Sequence, residues 1–517
     1  MSEEMFWADQ IARTVIKWRG EKKLYTVAAG ITPSGTIHIG NFREMITVDL
    51  IARALRSLGK DVRFIYSWDD YDRFRKVPAN VPKKEVLEKY MGYPVTDVPD
   101  TFGCHASYAE HMEREVSDAL PLVGIKPDFI FQSKMYRECK YAEEIRNCML
   151  ARDRIRDVLN KFRKKEDPLT ESWYPLHIFC EKCRRDEGWV TAYDGKYTIK
   201  YECECGHKGT VNFKEKGTVK LPWRVDWPMR WHYEQVDCEG GGKEHNAPGG
   251  SIDTGHEVLK AVYNEAPPTR FMYDFVIPKG GGKMSKSLGN VIKLTDVLQI
   301  YLPEIIRFMF AGTKPVKEFS IPMDEEIFKA YEDFYQTERI HYGKEESARK
   351  AHWSRVYEMS CIGAPPKEMP IQPNFKHCAE LINIYRTPAE AIKHVKEKLG
   401  KQDKERHLAL LKCAKNWIEK YAPDEYRFEL NEKIPKAELS EGQRLALKEL
   451  GEKIEKAKSE DDMIELFNDI SKKHKLSPQD FFRACYLVLI SRERGPRLAP
   501  FILAAGKEKI TKLLRQL

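Results

Sequence analysis

The segment Pro33-Ser34-Gly35-Thr36-Ile37-His38-Ile39-Gly40-Asn41 joins small residues to an imidazole. Small residues let the backbone come close to a ligand, a helix N-terminus just after them attracts phosphate, and His38 can hydrogen-bond an anionic oxygen. Lys283-Met284-Ser285-Lys286-Ser287 follows three glycines, Gly280 to Gly282. Two lysines three residues apart on a glycine hinge can swing onto a polyphosphate and balance charge that develops during phosphoryl chemistry. Cys180-x2-Cys183 is followed, after 19 intervening residues, by Cys203-x-Cys205-Gly206-His207. Two turns that each present a pair of thiolates supply the tetrahedral shell of Zn2+, as in a zinc ribbon. The second pair has one intervening residue instead of two, so His207 is an alternative to Cys203 or Cys205. Because these ligands fill the shell, the site is expected to be structural. Asp100-x3-Cys104-His105-x5-His111 offers carboxylate, thiolate and imidazole donors. Its spacing alone fits a mixed zinc site, and equally a core cysteine with two histidines on a helix face.

These residues need elements to position them. Leu24 to Ala29 is a short apolar run of strand-forming residues, and the glycine- and proline-containing loop follows it. Phe42, Met45, Ile46, Ile51, Ala54, Leu55 and Leu58 then recur at helical spacing until Gly59, which predicts a helix from about Ile39 to Leu58. Val62 to Ser67 is the next strand, ending in Trp68-Asp69-Asp70. Strand, tight turn, helix and strand open a doubly wound parallel sheet, in which ligands bind at the carboxyl ends of strands. That places residues 30–41 and Asp69/Asp70 on one cleft. Residues 75–240 break the alternation and are read as insertions into the sheet domain. Phe271 to Ile277 is another strand. Beyond about residue 320 helices take over. Ser440 with Gln443, Ser459 with Asp462, and Ser477-Pro478-Gln479-Asp480 are helix starts. The expected division is therefore 1–320, a sheet domain with its insertions, and 321–517, an all-α region.

Composition bounds the function. Hydrophobic residues make up 42% and charged residues 32%, which suits a globular protein with a sizeable core and excludes a disordered or fibrous one. The longest apolar stretch, Ala484 to Ile490, falls short of the roughly 20 residues of a membrane span. Met1-Ser2-Glu3-Glu4 is acidic where a secretory signal would be basic, so the expectation is a cytoplasmic protein without a membrane partner. An excess of 87 Lys and Arg over 79 Asp and Glu points mildly to an anionic partner. The twelve cysteines are too few for a disulfide scaffold.

The two loops, His38-Ile39-Gly40-Asn41 and Lys283 to Ser287, resemble the two signatures of class I aminoacyl-tRNA synthetases. Asn41 departs from the histidine usual at its position; it keeps a hydrogen-bonding arm and cannot carry a charge. The segment from Gly242 to Asp253, with Gly249 and Gly250, looks like the loop that lines the ATP and amino-acid cleft of that family. Trp227-Pro-Met-Arg-Trp231, the cysteine clusters and Gly495-Pro-Arg-Leu-Ala-Pro500 are, with both loops, similar to the class I form of lysyl-tRNA synthetase, along nearly the whole chain. The resemblance implies a Rossmann catalytic domain with zinc-binding insertions and a helical connecting and anticodon-binding region. It also favours the zinc reading of Asp100, Cys104, His105 and His111.

The implied chemistry is attack of a lysine carboxylate on the α-phosphate of ATP, loss of pyrophosphate, and transfer of lysine to the 3′ end of tRNA(Lys), with Mg2+ accompanying ATP. The resemblance assigns catalysis to His38, Asn41, Lys283 and Lys286. ATP would lie against Pro33, Ser34, Gly35, His38, Gly40, Asn41, Gly249, Gly250 and Lys283, Met284, Ser285, Lys286 and Ser287. A lysine side chain needs a carboxylate and gains from an aromatic face. Asp69, Asp70 and Glu44 are the acids within reach, and Trp227, His245 and Tyr273 the expected walls. The alternatives are a class I synthetase for glutamate, glutamine or cysteine, a nucleotidylyltransferase, or an RNA-binding zinc protein without catalysis.

Overall fold

The computed structural model describes residues 5–277, 291–395 and 399–517. Leu24–Ile31 forms β1, the central strand of a five-stranded parallel sheet. A strand covered by helices on both faces needs an unbroken apolar run rather than alternation, and Tyr25 to Ala29 are all buried. The chain continues into α1 (Ile39–Ser57) and β2 (Asp61–Trp68), close to the expected bounds. β3 (Asp128–Phe131), β4 (Val236–Gly242) and β5 (Thr269–Tyr273) complete the sheet in the order β5-β4-β1-β2-β3. Strand order reverses between β1 and β4, and ligands of such sheets bind outside the carboxyl ends at that point. Gly30 and Ile31 of β1 and Gly240 to Gly242 of β4 lie there.

Two expectations change. Phe271 to Ile277 is divided: β5 ends at Tyr273, and Val276–Ile277 pairs with Phe319–Ser320 in a separate small sheet. The Asp274 amide donates to the Pro315 carbonyl at 2.8 Å, which takes the chain out of the main sheet. The stretch 75–240 also supplies β3 and most of β4. Four residues, as in β3, are too few to show a period of two.

Between β3 and β4 lie helices, an antiparallel sheet of Gly188–Tyr193, Thr198–Cys203 and Lys208–Asn212, and α2 (Trp223–Tyr233). α3 (Ser251–Tyr263) follows β4. Gly250 precedes it in so tight a turn that a Cβ there would meet the His245 carbonyl oxygen at 2.5 Å.

The chain forms two compact units. Met1–Asp296, Ile306–Ile321 and Glu346–Pro365 make the first, which contains the sheet; Val297–Ile305, Pro322–Glu345 and Pro366–Leu517 make the second. Among the described residues, the regular elements of the second unit are all helices. Ser440 with Gln443 and Ser459 with Asp462 form capping boxes, and Ser477 caps Pro478–Ile490, as their spacing predicts. Leu447, Leu450, Met463, Phe467 and Ile470 point into its core. No described helix is long and apolar enough to cross a membrane.

Candidate active site

His38 caps α1. Its Nδ1 accepts from the Gly40 amide at 3.1 Å, while Asn41 Oδ1 accepts from the His38 amide at 3.2 Å. An accepting Nδ1 leaves the proton of a neutral imidazole on Nε2, which is then a donor suited to an anionic oxygen. Asn41 is thus engaged as a helix cap, a task that a neutral amide performs without a charge. Ser34, His38, Gly40 and Asn41 line a cleft of about 760 Å3 at the carboxyl ends of β1 and β4. Pro33 and Gly35 are buried within the loop. Gly249 and Gly250 form the approach to α3, and the Gly249 amide donates to Asp253 Oδ2 at 3.0 Å. Lys283, Met284, Ser285, Lys286 and Ser287 lie outside the described residues.

A smaller cavity of about 60 Å3 shares Gly30, Glu44, Asp69, Trp223, His245 and Tyr273 with the cleft. It continues to Trp227, Arg230 and Glu239. Trp223, Trp227 and Trp231 recur every four residues along α2, so they form one ladder, with ring centroids 4.8 and 4.9 Å apart. Trp231 Nε1 donates to Glu239 Oε2 at 2.6 Å. Burial, with Glu239 nearby, raises the Glu44 carboxyl to about 8, against hydrogen bonds from Tyr273 and the backbone that favour its charged form. Burial likewise pushes Glu239 up to about 7. Asp69 is also raised by burial, and Arg230 Nη1 opposes this from 2.6 Å. Carboxylates gathered in a cavity with too little positive charge form a receptor for a cation.

The expected acids separate here. Asp69 and Glu44 face the cavity, as do the walls Trp227, His245 and Tyr273. Asp70 does not line it. Its carboxylate accepts from the Ser133 amide at 2.7 Å and from the Ser133 hydroxyl, at the start of the helix Gln132–Arg137. The strand ends at Trp68 and the chain turns at Asp70, so the two adjacent acids do not share a pocket. Glu239, Arg230 and Trp223 were missed by sequence reasoning. The available signals were a glutamate in the otherwise small or apolar end of Val236–Gly242 and an arginine within the tryptophan ladder.

The sulfur atoms of Cys180, Cys183, Cys203 and Cys205 lie within 4.8 Å of one another. Cys180–Cys205 and Cys183–Cys203 are 3.8 and 3.7 Å apart. A tetrahedron with metal–sulfur bonds of about 2.3 Å has edges of roughly 3.8 Å, so these four donors fit a tetrahedral ion. His207 is not in the cluster; its carbonyl accepts from the Cys203 amide at 2.9 Å, closing the turn. Asp100, Cys104, His105 and His111 also bring one donor atom each within 4.8 Å. Cys104 Sγ is 3.1 Å from Nδ1 of both histidines, and Asp100 Oδ2 accepts from the Cys104 and His105 amides at 2.8 Å. Both groups can hold a metal ion.

Residues 5–363 match a family model described as tRNA synthetases class I (K). The chain is 44% identical over 515 residues to a lysine–tRNA ligase of Borrelia garinii subsp. bavariensis, covering 98% of each protein. It is 41% identical over 524 residues to a lysine–tRNA ligase of Pyrococcus horikoshii, covering 98% of this chain and 99% of that one. A lysine–tRNA ligase of Treponema pallidum is 40% identical over 522 residues, with 99% and 98% covered. With a switch-point cleft, a capped His38 loop and full-length likeness to these ligases, the chain belongs to the class I tRNA synthetases of the lysine (K) family.

Proposed function

We propose that this chain is a lysine–tRNA ligase, and that the acid-rich cavity between β1 and β4 takes the ammonium end of L-lysine. The observation that carries the reading is the set of Glu44, Glu239 and Asp69 around about 60 Å3, with two of the three held up at about 8 and 7. A bound ammonium supplies the charge that lets these acids ionise, and the Trp223–Trp227 faces suit its methylene chain. A glutamate carboxylate would meet Glu44, Glu239 and Asp69, while Arg230 of that cavity is already paired with Asp69.

The lysine carboxylate attacks the α-phosphorus of ATP in line. An O–P bond forms, the bond to the bridging oxygen breaks, and pyrophosphate leaves with its electron pair. A ribose hydroxyl at the 3′ end of tRNA(Lys) then attacks the lysyl carbonyl, and AMP departs. No side chain becomes covalently attached, so positioning and electrostatics are the protein's contribution. The Nε2–H of His38 binds the phosphates beside the α1 N-terminus, with Asn41 fixing the His38 backbone. Lys283 and Lys286 balance the charge of the departing pyrophosphate, and Gly249 and Gly250 set the approach to α3. Mg2+ bound to ATP would supply screening of the phosphate charge. Zn2+ would be held structurally by Cys180, Cys183, Cys203 and Cys205, and a second ion by Asp100, Cys104, His105 and His111. In the helical unit, a groove of about 960 Å3 with Phe482, Tyr486, Arg494 and Arg497 suits stacking of unpaired bases and contact with phosphate. A cytoplasmic location accords with this activity.

Charging of total tRNA, with labelled amino acids tried one at a time in ATP and Mg2+, tests the reading. Attachment of lysine alone is expected; attachment of a different amino acid would overturn the pocket assignment. Metal analysis should find two zinc ions per chain, falling to one in Cys104→Ser.

A further inference from the structure

Behind Asp69 runs a chain of buried charges that ends beside the four-cysteine cluster. The strand Val219–Lys220 pairs with His177–Ile178, whose next residue but one is Cys180. The Phe179 amide donates to the Thr218 carbonyl at 2.9 Å, and Tyr71 Oη donates to the Gly217 carbonyl at 2.6 Å. The backbone on which Lys220 stands is thus fixed by the cysteine loop on one edge.

The Lys220 side chain is 4% exposed, and its Nζ lies 2.9 Å from Asp226 Oδ2 and 3.1 Å from Asp72 Oδ1. Asp226, fully buried, also faces Arg230, with Oδ2 3.6 Å from Arg230 Nε. That Nε is buried without a hydrogen-bond partner among the described residues. Arg230 instead spends Nη1 on Asp69 at 2.6 Å and on Ser67 Oγ at 2.7 Å. Two cations are therefore divided among three carboxylates, and the division is uneven. Lys220 holds Asp226 back from Arg230, which leaves the guanidinium to Asp69. Without Lys220, Asp226 has a single cation to turn to, and the unfilled Nε is where it would go. Asp226 Oδ1 keeps the hydrogen bond from the Tyr136 hydroxyl, but that donor is neutral, and a buried carboxylate that has lost its nearest cation gains by turning its other oxygen to Arg230.

We propose that Lys220 is a positioning residue for the amino-acid site: through Asp226 and Arg230 it fixes Asp69 in the cavity, and the four-cysteine knuckle fixes Lys220. The inference rests on the small cavity being that site. It makes the knuckle a support of substrate binding, as well as of the local fold.

The test is tRNA charging by the full chain carrying Lys220→Met, with KM measured separately for lysine, ATP and tRNA. The KM for lysine should rise roughly tenfold to hundredfold, the scale for losing an outer partner of a binding group, with the KM for ATP and tRNA moved less than about threefold. Because Lys220→Met alone risks misfolding, Lys220→Met/Asp72→Asn removes one charge of each sign. It should recover the thermal stability of the parent while the KM for lysine stays raised. Lysine titrated calorimetrically into chelator-stripped parent protein should bind weaker by a similar factor. Equal rises for lysine and ATP, recovery of the lysine KM in the double variant, or undiminished lysine binding by the stripped protein would each overturn the proposal. A parent protein that fails to charge lysine overturns the functional reading and this inference together, whereas an active parent with unmoved variants overturns this inference alone.

Discussion

Asp237 and Glu239 sit two residues apart on β4, on the same side of the strand, and their surroundings are opposite. Asp237, near the amino end, takes Arg19 Nε at 2.9 Å, Lys22 Nζ at 2.6 Å and the Thr26 amide at 2.9 Å. Its charge is matched by side chains that arrive from the segment before β1. Glu239, toward the carboxyl end, takes the Trp231 indole and faces Glu44 across a cavity, and its carboxyl is raised to about 7. One acid is finished by the fold; the other awaits a cation. In a doubly wound sheet the amino ends of strands are free to be bolted down, while the carboxyl ends at the switch point are kept open for ligands. Two acids on one face of one strand therefore carry different meanings.

Substitutions at the two ends should dissociate stability from substrate binding. Asp237→Asn leaves Arg19 and Lys22 without their carboxylate and should cost about 3 kcal/mol in a denaturant titration, with the KM for lysine unmoved. A raised KM would mean that both ends of β4 serve the pocket. Glu44→Gln should do the reverse. A rise of about 100-fold in the KM for lysine, near 2.7 kcal/mol, is expected with the KM for ATP preserved, and thermal stability equal or higher because a raised acid has been removed.

The pH dependence should be smaller, about tenfold. Below roughly pH 7 the pocket acids hold their protons, and an ammonium ligand needs them ionised, so the KM for lysine should fall as pH rises from 6 to 8.5. Stability of the ligand-free protein runs the other way. Glu44 is raised from 4.5 to about 8, so its contribution is complete below 4.5 and is lost as pH climbs through 8; saturating lysine should flatten that loss in thermal melts. The smallest effect is expected for Asp70→Asn. Its carboxyl, raised to about 6 by burial, is bound to Ser133 away from the cavity, so the KM for lysine should change less than about threefold. A larger change would return Asp70 to the site.

Much of this was legible in one dimension because it depends on local order. The apolar run of β1, the helical spacing of α1 and the Ser-x-x-Gln or Ser-x-x-Asp starts all report neighbours within four residues. The cysteine pairs were equally readable, since a knuckle is a turn with fixed ligand spacing. The place of the His38 loop at the cleft was legible because a switch-point loop follows the first strand wherever a doubly wound sheet begins. The division of Phe271 to Ile277 was missed, since the break depends on Asp274 meeting Pro315, 41 residues away. His207 was a possible alternative to Cys203 or Cys205 by spacing, and only the folded turn brings all four sulfurs together without it.

The sequence by itself determined the parallel sheet, the loop that caps α1, the pairing of the four cysteines and the helical second unit, because each is written in residue type and short spacing. Only the tertiary structure decided which acids form the pocket. Glu44, Asp69 and Glu239 come from α1, the end of β2 and β4, and they meet because parallel strands place their carboxyl ends side by side. Whether an acid is paired or left waiting depends on cations such as Arg19, Lys220 and Arg230, brought from distant parts of the chain. Burial and charge are properties of that assembled neighbourhood, and no spacing rule along the chain contains them.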